Sequence, residues 1–184
     1  IAARQPHSRR HVVAGHRGWV SPRHRRLDDR PVESAATKGA MLVHKIGVAF
    51  GGPSPEHEIS ILTGLQCERV LTLAGCEVVP LYWDPKGRWF RVPKGSEARD
   101  WLAGPPSGSA SIEPRLSDEP GFYLRQGLRT SRLELDAILT CFHGGAGEGG
   151  GAQALFQLLG YPATGGTVAA ASLGMDKFAF GALM

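Results

Sequence analysis

The chain has 184 residues, 42% apolar and 21% charged. These proportions suit one globular domain with appendages and exclude collagen, coiled-coil and wholly disordered classes. The net charge of +4 is unevenly placed: residues 1–40 hold nine Lys/Arg against three Asp/Glu, and residues 41–184 hold twelve against fourteen.

The basic character therefore belongs to the first forty residues. The remainder lacks the basic stripe that nucleic-acid binding requires. The three cysteines, Cys67, Cys76 and Cys141, show neither CxxC nor His spacing. That argues against a disulfide framework or a zinc site and for a reducing, cytoplasmic setting. No apolar run reaches the roughly 18 residues that a membrane-spanning helix needs.

Residues 1–40 show no apolar periodicity and read as a disordered basic segment. Met41 reads as the start of translation, with 1–40 as upstream sequence. Lys45–Phe50 is a short apolar run closed by Gly51-Gly52-Pro53, the pattern of a buried parallel strand. Ser54 then reads as a helix N-cap, Pro55 as the first helical position, and Glu56 and Glu58 as acids matched to the helix dipole. The helix is expected to run to about Ala74, with Ile59, Leu62, Leu65, Val70 and Leu73 broadly on one face and Gly75 ending it.

Cys76–Trp83 reads as a second strand, Asp84-Pro85-Lys86-Gly87 as a turn, and Arg88–Val92 as a short antiparallel return. The Pro-, Gly- and Ser-rich stretch 93–120 carries no clear element. Gly121–Arg125 reads as a short strand and Leu135–Phe142 as a buried one. A helix is expected from Gly150 to Leu159, with Ala152, Leu155, Phe156 and Leu159 at i, i+3, i+4 and i+7. Residues 161–165 form an extended link, Thr167–Leu173 a small helix, and Asp176 caps another. Alternating strands and helices imply an α/β fold, an open, mainly parallel sheet with flanking helices.

Three segments carry chemistry. The first, Gly51-Gly52-Pro53-Ser54-Pro55-Glu56-His57-Glu58-Ile59-Ser60, joins a strand to a helix, where ligands sit in open α/β sheets. Its acids and histidine suit an amine or a proton transfer. They equally suit plain dipole compensation with His57 in solvent. The second, His143-Gly144-Gly145-Ala146-Gly147-Glu148-Gly149-Gly150-Gly151-Ala152-Gln153, follows a strand and opens a helix whose N–H groups favour an anion.

A glycine connector is the plainer reading of that second segment, yet a helix start rarely needs six glycines. Gly145-x-Gly147-x-x-Gly150 matches the dinucleotide fingerprint. It follows a late strand, however, and Glu148 sits inside the turn. The third segment, Gly174-Met175-Asp176-Lys177, says little alone: it puts a lysine at a helix start, an unfavourable charge unless an anion arrives, and a plainly solvated lysine is the simpler reading.

In this order the three segments resemble the N-terminal part of D-alanine–D-alanine ligases, of the ATP-grasp superfamily. The first resembles the family's GG-x-S-x-E-x-E-[VI]-S opening loop. The second is similar to its H-G-x-x-G-E-D-G-x-x-Q signature, and the third to its MDK after a Y-T-G-like link. The resemblance covers about residues 45–60 and 135–184, and 76–92 loosely.

It implies a Rossmann-like, pre-ATP-grasp substrate domain over 41–165 and an incomplete ATP-grasp central domain beginning at 166–184. Glu56 matches the acid near the amino group of the first D-alanine, and His143 the histidine near its carboxylate. These two are the implied catalytic residues. Glu56, Ser60, His143, Gly144, Gly147, Glu148 and Gln153 make up the implied substrate subsite. Lys177 matches a lysine that contacts ATP phosphate.

The resemblance further implies ATP and Mg2+, with metal ligands outside this chain, and cell-wall precursor synthesis in a bacterial cytoplasm. It implies no membrane or nucleic-acid partner, and a homodimeric full-length enzyme. The family's Asp in G-E-D-G is Gly149 here. That departure keeps open a related ligase for another amino or hydroxy acid, beside a non-catalytic nucleotide-binding module. A chain ending at Met184 is expected to lack ligase activity by itself and to expose apolar surface.

Overall fold

The computed structural model describes residues 44–184, so the expectations for 1–40 and Met41 lie outside the described residues. Strand β1 (Lys45–Gly51) and β2 (Glu77–Trp83) pair in parallel, Val48 opposite Pro80. Strand β7 (Ala137–Thr140) pairs in parallel with the other edge of β1. Beyond β2 the sheet continues through β3 (Trp89–Arg91), β4 (Ala110–Arg115), β5 (Gly121–Gln126) and β6 (Arg129–Arg132), each antiparallel to its neighbour. The spatial order is β6-β5-β4-β3-β2-β1-β7.

The α/β class with an open sheet and flanking helices holds. The sheet, however, is mixed rather than mainly parallel. Of the seven strands described, only β1 and β2 are joined by an α-helical crossover, over His57–Leu73, and β7 follows β6 directly. The four later strands are joined by turns and loops too short or too Pro/Gly-rich for a crossover helix, so they meander. Strands β4 and β6 went unread because they carry few apolar residues. Of β4 only Ile112 is fully buried, and none of β6 is.

Both faces of the parallel part are covered. On one face Ala49, Val79, Leu81 and Ile138 pack with Trp89, Phe122, Phe142 and α3 (Gly151–Leu158) through Ala152 and Phe156. On the other, Val48, Phe50, Val78 and Tyr82 pack against Ile61 and Leu65 of α1 (His57–Leu73), with Trp101 of the short 3-10 helix Ala98–Trp101 beside them. The strands β1 and β2 therefore read as continuous apolar runs, as two-sided burial requires.

Helix α1 departs from the expected face. It buries His57, Ser60, Ile61, Gly64, Leu65 and Glu68, while Ile59, Leu62, Val70 and Leu73 are at least half exposed. Polar residues can face a core only when each has a partner, and these do. The Glu68 Oε1 accepts from the Gly95 amide at 2.6 Å, and His57 and Ser60 are bonded as described below. At Gly64 the helix lies so close to β1 that a Cβ would overlap the Phe50 ring.

The helix also begins later than its sequence suggests, at His57 with Glu56 in the cap position. Its end is as expected. The Gly75 amide bonds to Thr72 O and the Cys76 amide to Leu71 O, around Gly75 at φ 86°, a Schellman motif. At the far end, Thr167 caps α4 (Val168–Met175), and Asp176 closes it and caps α5 (Lys177–Leu183) through the Ala179 amide.

Candidate functional site

The first two segments meet at the carboxyl ends of β1 and β7. Ser60 ties these ends together. Its hydroxyl donates to Cys141 O at 2.8 Å and accepts from the Gly51 amide at 2.7 Å, with no exposure. Ser60 therefore faces the two strand ends, not an open subsite. Ser54 ties the loops. Its hydroxyl donates to His143 O at 2.7 Å and accepts from the Glu56 amide at 3.0 Å. The helix-capping role expected of Ser54 gives way to this bond because the chain turns once more before α1 begins.

Glu56 is exposed, and among the described residues no group bonds its carboxylate. It lies beside Gly144, where a Cβ would sit 3.4 Å from Glu56 Oε1 and 2.8 Å from Ser54 Oγ. Gly144 has φ 64°, a conformation that glycine adopts without strain. Gly145 comes closer still, with a Cβ at 2.7 Å from Pro53 O. Two glycines thus let the second loop lie against the first.

His143 is half-buried, and its Nε2 lies 2.9 Å from Thr63 Oγ1. Its Nδ1 has no partner among the described residues. Thr63 was not singled out from the sequence. The available signal was its place at i+7 from Glu56 and i+3 from Ser60, on one helix face.

Of the two readings of His57, the one that leaves it in solvent fails, because the ring is buried. Its Nδ1 lies 2.8 Å from Gly52 O and its Nε2 3.0 Å from the Tyr82 hydroxyl. A carbonyl only accepts, so Nδ1 carries the proton and the phenol donates to Nε2. Burial, with Asp84 nearby, pushes the Tyr82 phenol up to about 12. At Asp84 burial favours the neutral acid, but the Arg88 amide and guanidinium and the Lys86 amide outweigh it and hold the carboxyl below its ordinary range.

The remaining candidates divide. A short helix α2 (Gly145–Glu148) occupies the glycine-rich stretch, and Glu148 Oε2 accepts from the Gly144 amide at 2.7 Å. The Gly145-x-Gly147-x-x-Gly150 match is therefore one helical turn, not a dinucleotide-binding turn. Gly147 packs on Phe142, where a Cβ would lie 2.6 Å from its Cβ. On the far side Gly147, Glu148 and Gln153 line a cavity of about 350 Å³ with Thr140, Gly165 and Ala171. Gln153 Oε1 is buried there without a partner among the described residues.

At Gly149 a Cβ would sit 2.9 Å from Gly145 O, so any side chain requires the loop to shift. Lys177 is exposed at the start of α5. The structure thus brings Glu56, His143 and Gly144 together, sets Gly147, Glu148 and Gln153 behind them, and gives no bond from Lys177 to either group. A larger cavity, about 620 Å³, lies between α1 and the 3-10 helix, lined by Ile61, Tyr82, Trp101 and Leu102. His57 and Glu58 of the first segment also line it, but none of Glu56, Ser60, His143, Gly144, Gly147, Glu148, Gln153 and Lys177 does. Among the described residues no group of His, Cys, Asp and Glu could hold a metal ion, and no helix is long and apolar enough to cross a membrane.

A family model described as the D-Ala-D-Ala ligase N-terminus matches residues 45–166. The chain belongs to the D-Ala–D-Ala ligase family. It is 40% identical over 137 residues to a D-alanine–D-alanine ligase of Leptospira interrogans, covering 72% of this chain and 37% of that one. It is 32% identical over 143 residues to the ligase of Geobacillus kaustophilus, covering 72% and 36%.

The solved D-alanine–D-alanine ligase of Coxiella burnetii superposes with a TM-score of 0.61 at 28% identity, over 77% of this chain and 40% of that one. The chain therefore spans a little over a third of the length of the curated ligases it matches. The family model runs through both loops described above and ends at residue 166, before Lys177.

Proposed function

We propose that this chain forms the subsite for the first amino acid of an ATP-dependent ligase that joins two D-alanines in cell-wall precursor synthesis, in the bacterial cytoplasm. The observation that carries the reading is that Glu56 and His143 stand on two loops held in contact by Ser54 and Gly144, the Glu56 carboxylate and the His143 Nδ1 each without a partner among the described residues. A zwitterionic amino acid presents an ammonium and a carboxylate a few ångströms apart. Glu56 answers the first. His143, protonated at Nδ1, answers the second with a charge-assisted hydrogen bond.

The chain's own residues position and neutralise. Glu56 holds the ammonium away from the reacting end. His143 offsets the carboxylate charge, and Ser60 and Glu148 fix the backbone of the loops that carry both. ATP, the co-substrate, would supply the phosphoryl group that activates the first carboxylate as an acyl phosphate, leaving ADP, and the second amine would then displace inorganic phosphate and lose a proton to form the amide. Lys177 offers an exposed ammonium of the kind that meets phosphoryl oxygens. Mg2+ belongs to the same reading, but no ligand set for it stands among the described residues, and no step is assigned to it.

Residues 41–165 then form the substrate domain, and 166–184 begin a further one. The exposed Phe178, Leu183 and Met184 of α5 and its C-terminal end fit an apolar contact with the rest of such a protein.

A D-alanine titration of the 15N-labelled chain, followed by amide shifts, tests the reading. Saturable shifts at residues 54–57 and 143–145 are expected, and they should be lost in Glu56→Gln. Shifts confined to the 350 Å³ cavity, or equal response in Glu56→Gln, would refute it.

A further inference from the structure

We infer that Thr63 is a positioning residue, which accepts a hydrogen bond from His143 Nε2–H and so leaves Nδ1 as the one nitrogen of that ring that can take up a proton toward the amino acid. The inference rests on the reading above for what Nδ1 faces. The ring's anchoring rests on geometry alone.

The Thr63 hydroxyl has one proton and two bonded neighbours. Its Oγ1 lies 3.0 Å from Ile59 O, one turn earlier in α1, and 2.9 Å from His143 Nε2. Ile59 O is a carbonyl and can only accept. If the proton pointed instead at the imidazole, two oxygens would face each other at 3.0 Å with no hydrogen between them. The arrangement that satisfies both contacts places the proton on the Ile59 bond and makes Oγ1 the acceptor. Nε2 must then carry a hydrogen.

The hydrogen bond of one ring nitrogen sets the state of the other. With Nε2–H fixed, the neutral ring presents a lone pair at Nδ1 and the imidazolium presents a donor there. Thr63 is satisfied in both states, so it does not resist the change. The bond to Ile59 O and the β-branch also restrict χ1 of Thr63, which gives the ring a pre-set partner. His143 is thereby held twice, its carbonyl by Ser54 of the first segment and its ring by Thr63 of α1.

The first arm of the test is the imidazole region of one-bond and long-range 1H–15N spectra of the 15N-labelled 184-residue chain, with His143 assigned by its loss in His143→Gln. In the neutral form His143 should show the Nε2–H pattern, with an Nε2–H signal visible because the bond slows its exchange. Thr63→Val, which keeps the shape and removes the acceptor, should abolish that signal, and Thr63→Ser should restore it.

A wild-type spectrum with the hydrogen on Nδ1 overturns the inference whatever the variants do, and so does a folded Thr63→Val protein that keeps the protected Nε2–H. If Thr63→Val does not fold, the wild-type and Thr63→Ser spectra decide. D-Alanine is the second arm. It should move the Nδ1 resonance in the wild type, and about tenfold more should be needed in Thr63→Val, the loss expected for one hydrogen bond. Nε2–H anchored as described with Nδ1 unmoved by D-alanine sinks the proposed function and leaves the anchoring intact. Nδ1 moved equally in both proteins sinks the positioning role alone.

Discussion

Ser60→Ala removes one hydroxyl and should disturb the frame under the site. In the native fold that hydroxyl satisfies the Gly51 amide and the Cys141 carbonyl, and Ser60 has no exposure. Alanine fills almost the same volume, so the cavity cost is small. The cost is the two backbone groups left without partners, at roughly 1–3 kcal/mol each. Allowing for relaxation of the strand ends, the loss should be about 2–4 kcal/mol, out of the roughly 5–15 kcal/mol of a typical domain.

Urea unfolding followed by tryptophan fluorescence measures it. The midpoint should fall at an unchanged m-value, with Tm lower by on the order of 5–15 °C. Were Ser60 a substrate-facing hydroxyl, its removal would leave the unfolding midpoint almost unchanged. A loss below about 0.5 kcal/mol would refute the staple and return Ser60 to the subsite.

Further tests address packing and protonation. Gly64→Ala should destabilise by about 1–3 kcal/mol despite the better helix propensity of alanine, because the added methyl overlaps Phe50; an unchanged or higher urea midpoint contradicts that. Tyr82 is raised in the folded state, so its contribution is complete below the ordinary phenol range near 10 and is lost as pH climbs toward about 12. Phenolate absorbance should therefore show a late-ionising tyrosine that is missing in Tyr82→Phe, and an unaltered titration curve argues against the buried phenol.

Asp84 is lowered, so its contribution is present above the ordinary carboxylate range and lost as pH falls through its folded value. Asp84→Asn should flatten the acid limb of the stability–pH curve, and two superimposable curves would count against the turn as described.

Much of the fold could be read from apolar runs. The segments that became β1, β2, β7 and α3 are each rich in aliphatic and aromatic residues, and those that face the sheet's core, such as Val48, Leu81, Ile138 and Phe156, follow the expected periodicity. The buried face of α1 could not be read in this manner. Hydrophobicity points to Ile59, Leu62, Val70 and Leu73, whereas the helix turns His57, Ser60, Gly64 and Glu68 inward. Those polar residues are anchored by partners far off in the chain, such as Cys141 O and the Gly95 amide, which no local pattern displays.

The same reason hid Thr63, whose partner is His143. Strands β4 and β6 were obscure because an edge sheet with one wet face needs little apolar content. At the site, the motifs pointed to Glu56, His143 and Gly144. They gave no means to separate these from Ser60 and Glu148, whose side chains bond to the loop backbone.

The most direct measurement is ATP-dependent phosphate release with D-alanine by a chimera, in which residues 45–184 replace the matching N-terminal third of the Leptospira interrogans ligase. The account predicts turnover dependent on D-alanine, reduced at least about a hundredfold by Glu56→Gln or His143→Ala, the scale expected for a charged contact to the reacting amino acid. A folded chimera without D-alanine-dependent turnover, or one that keeps its rate after both substitutions, would contradict it.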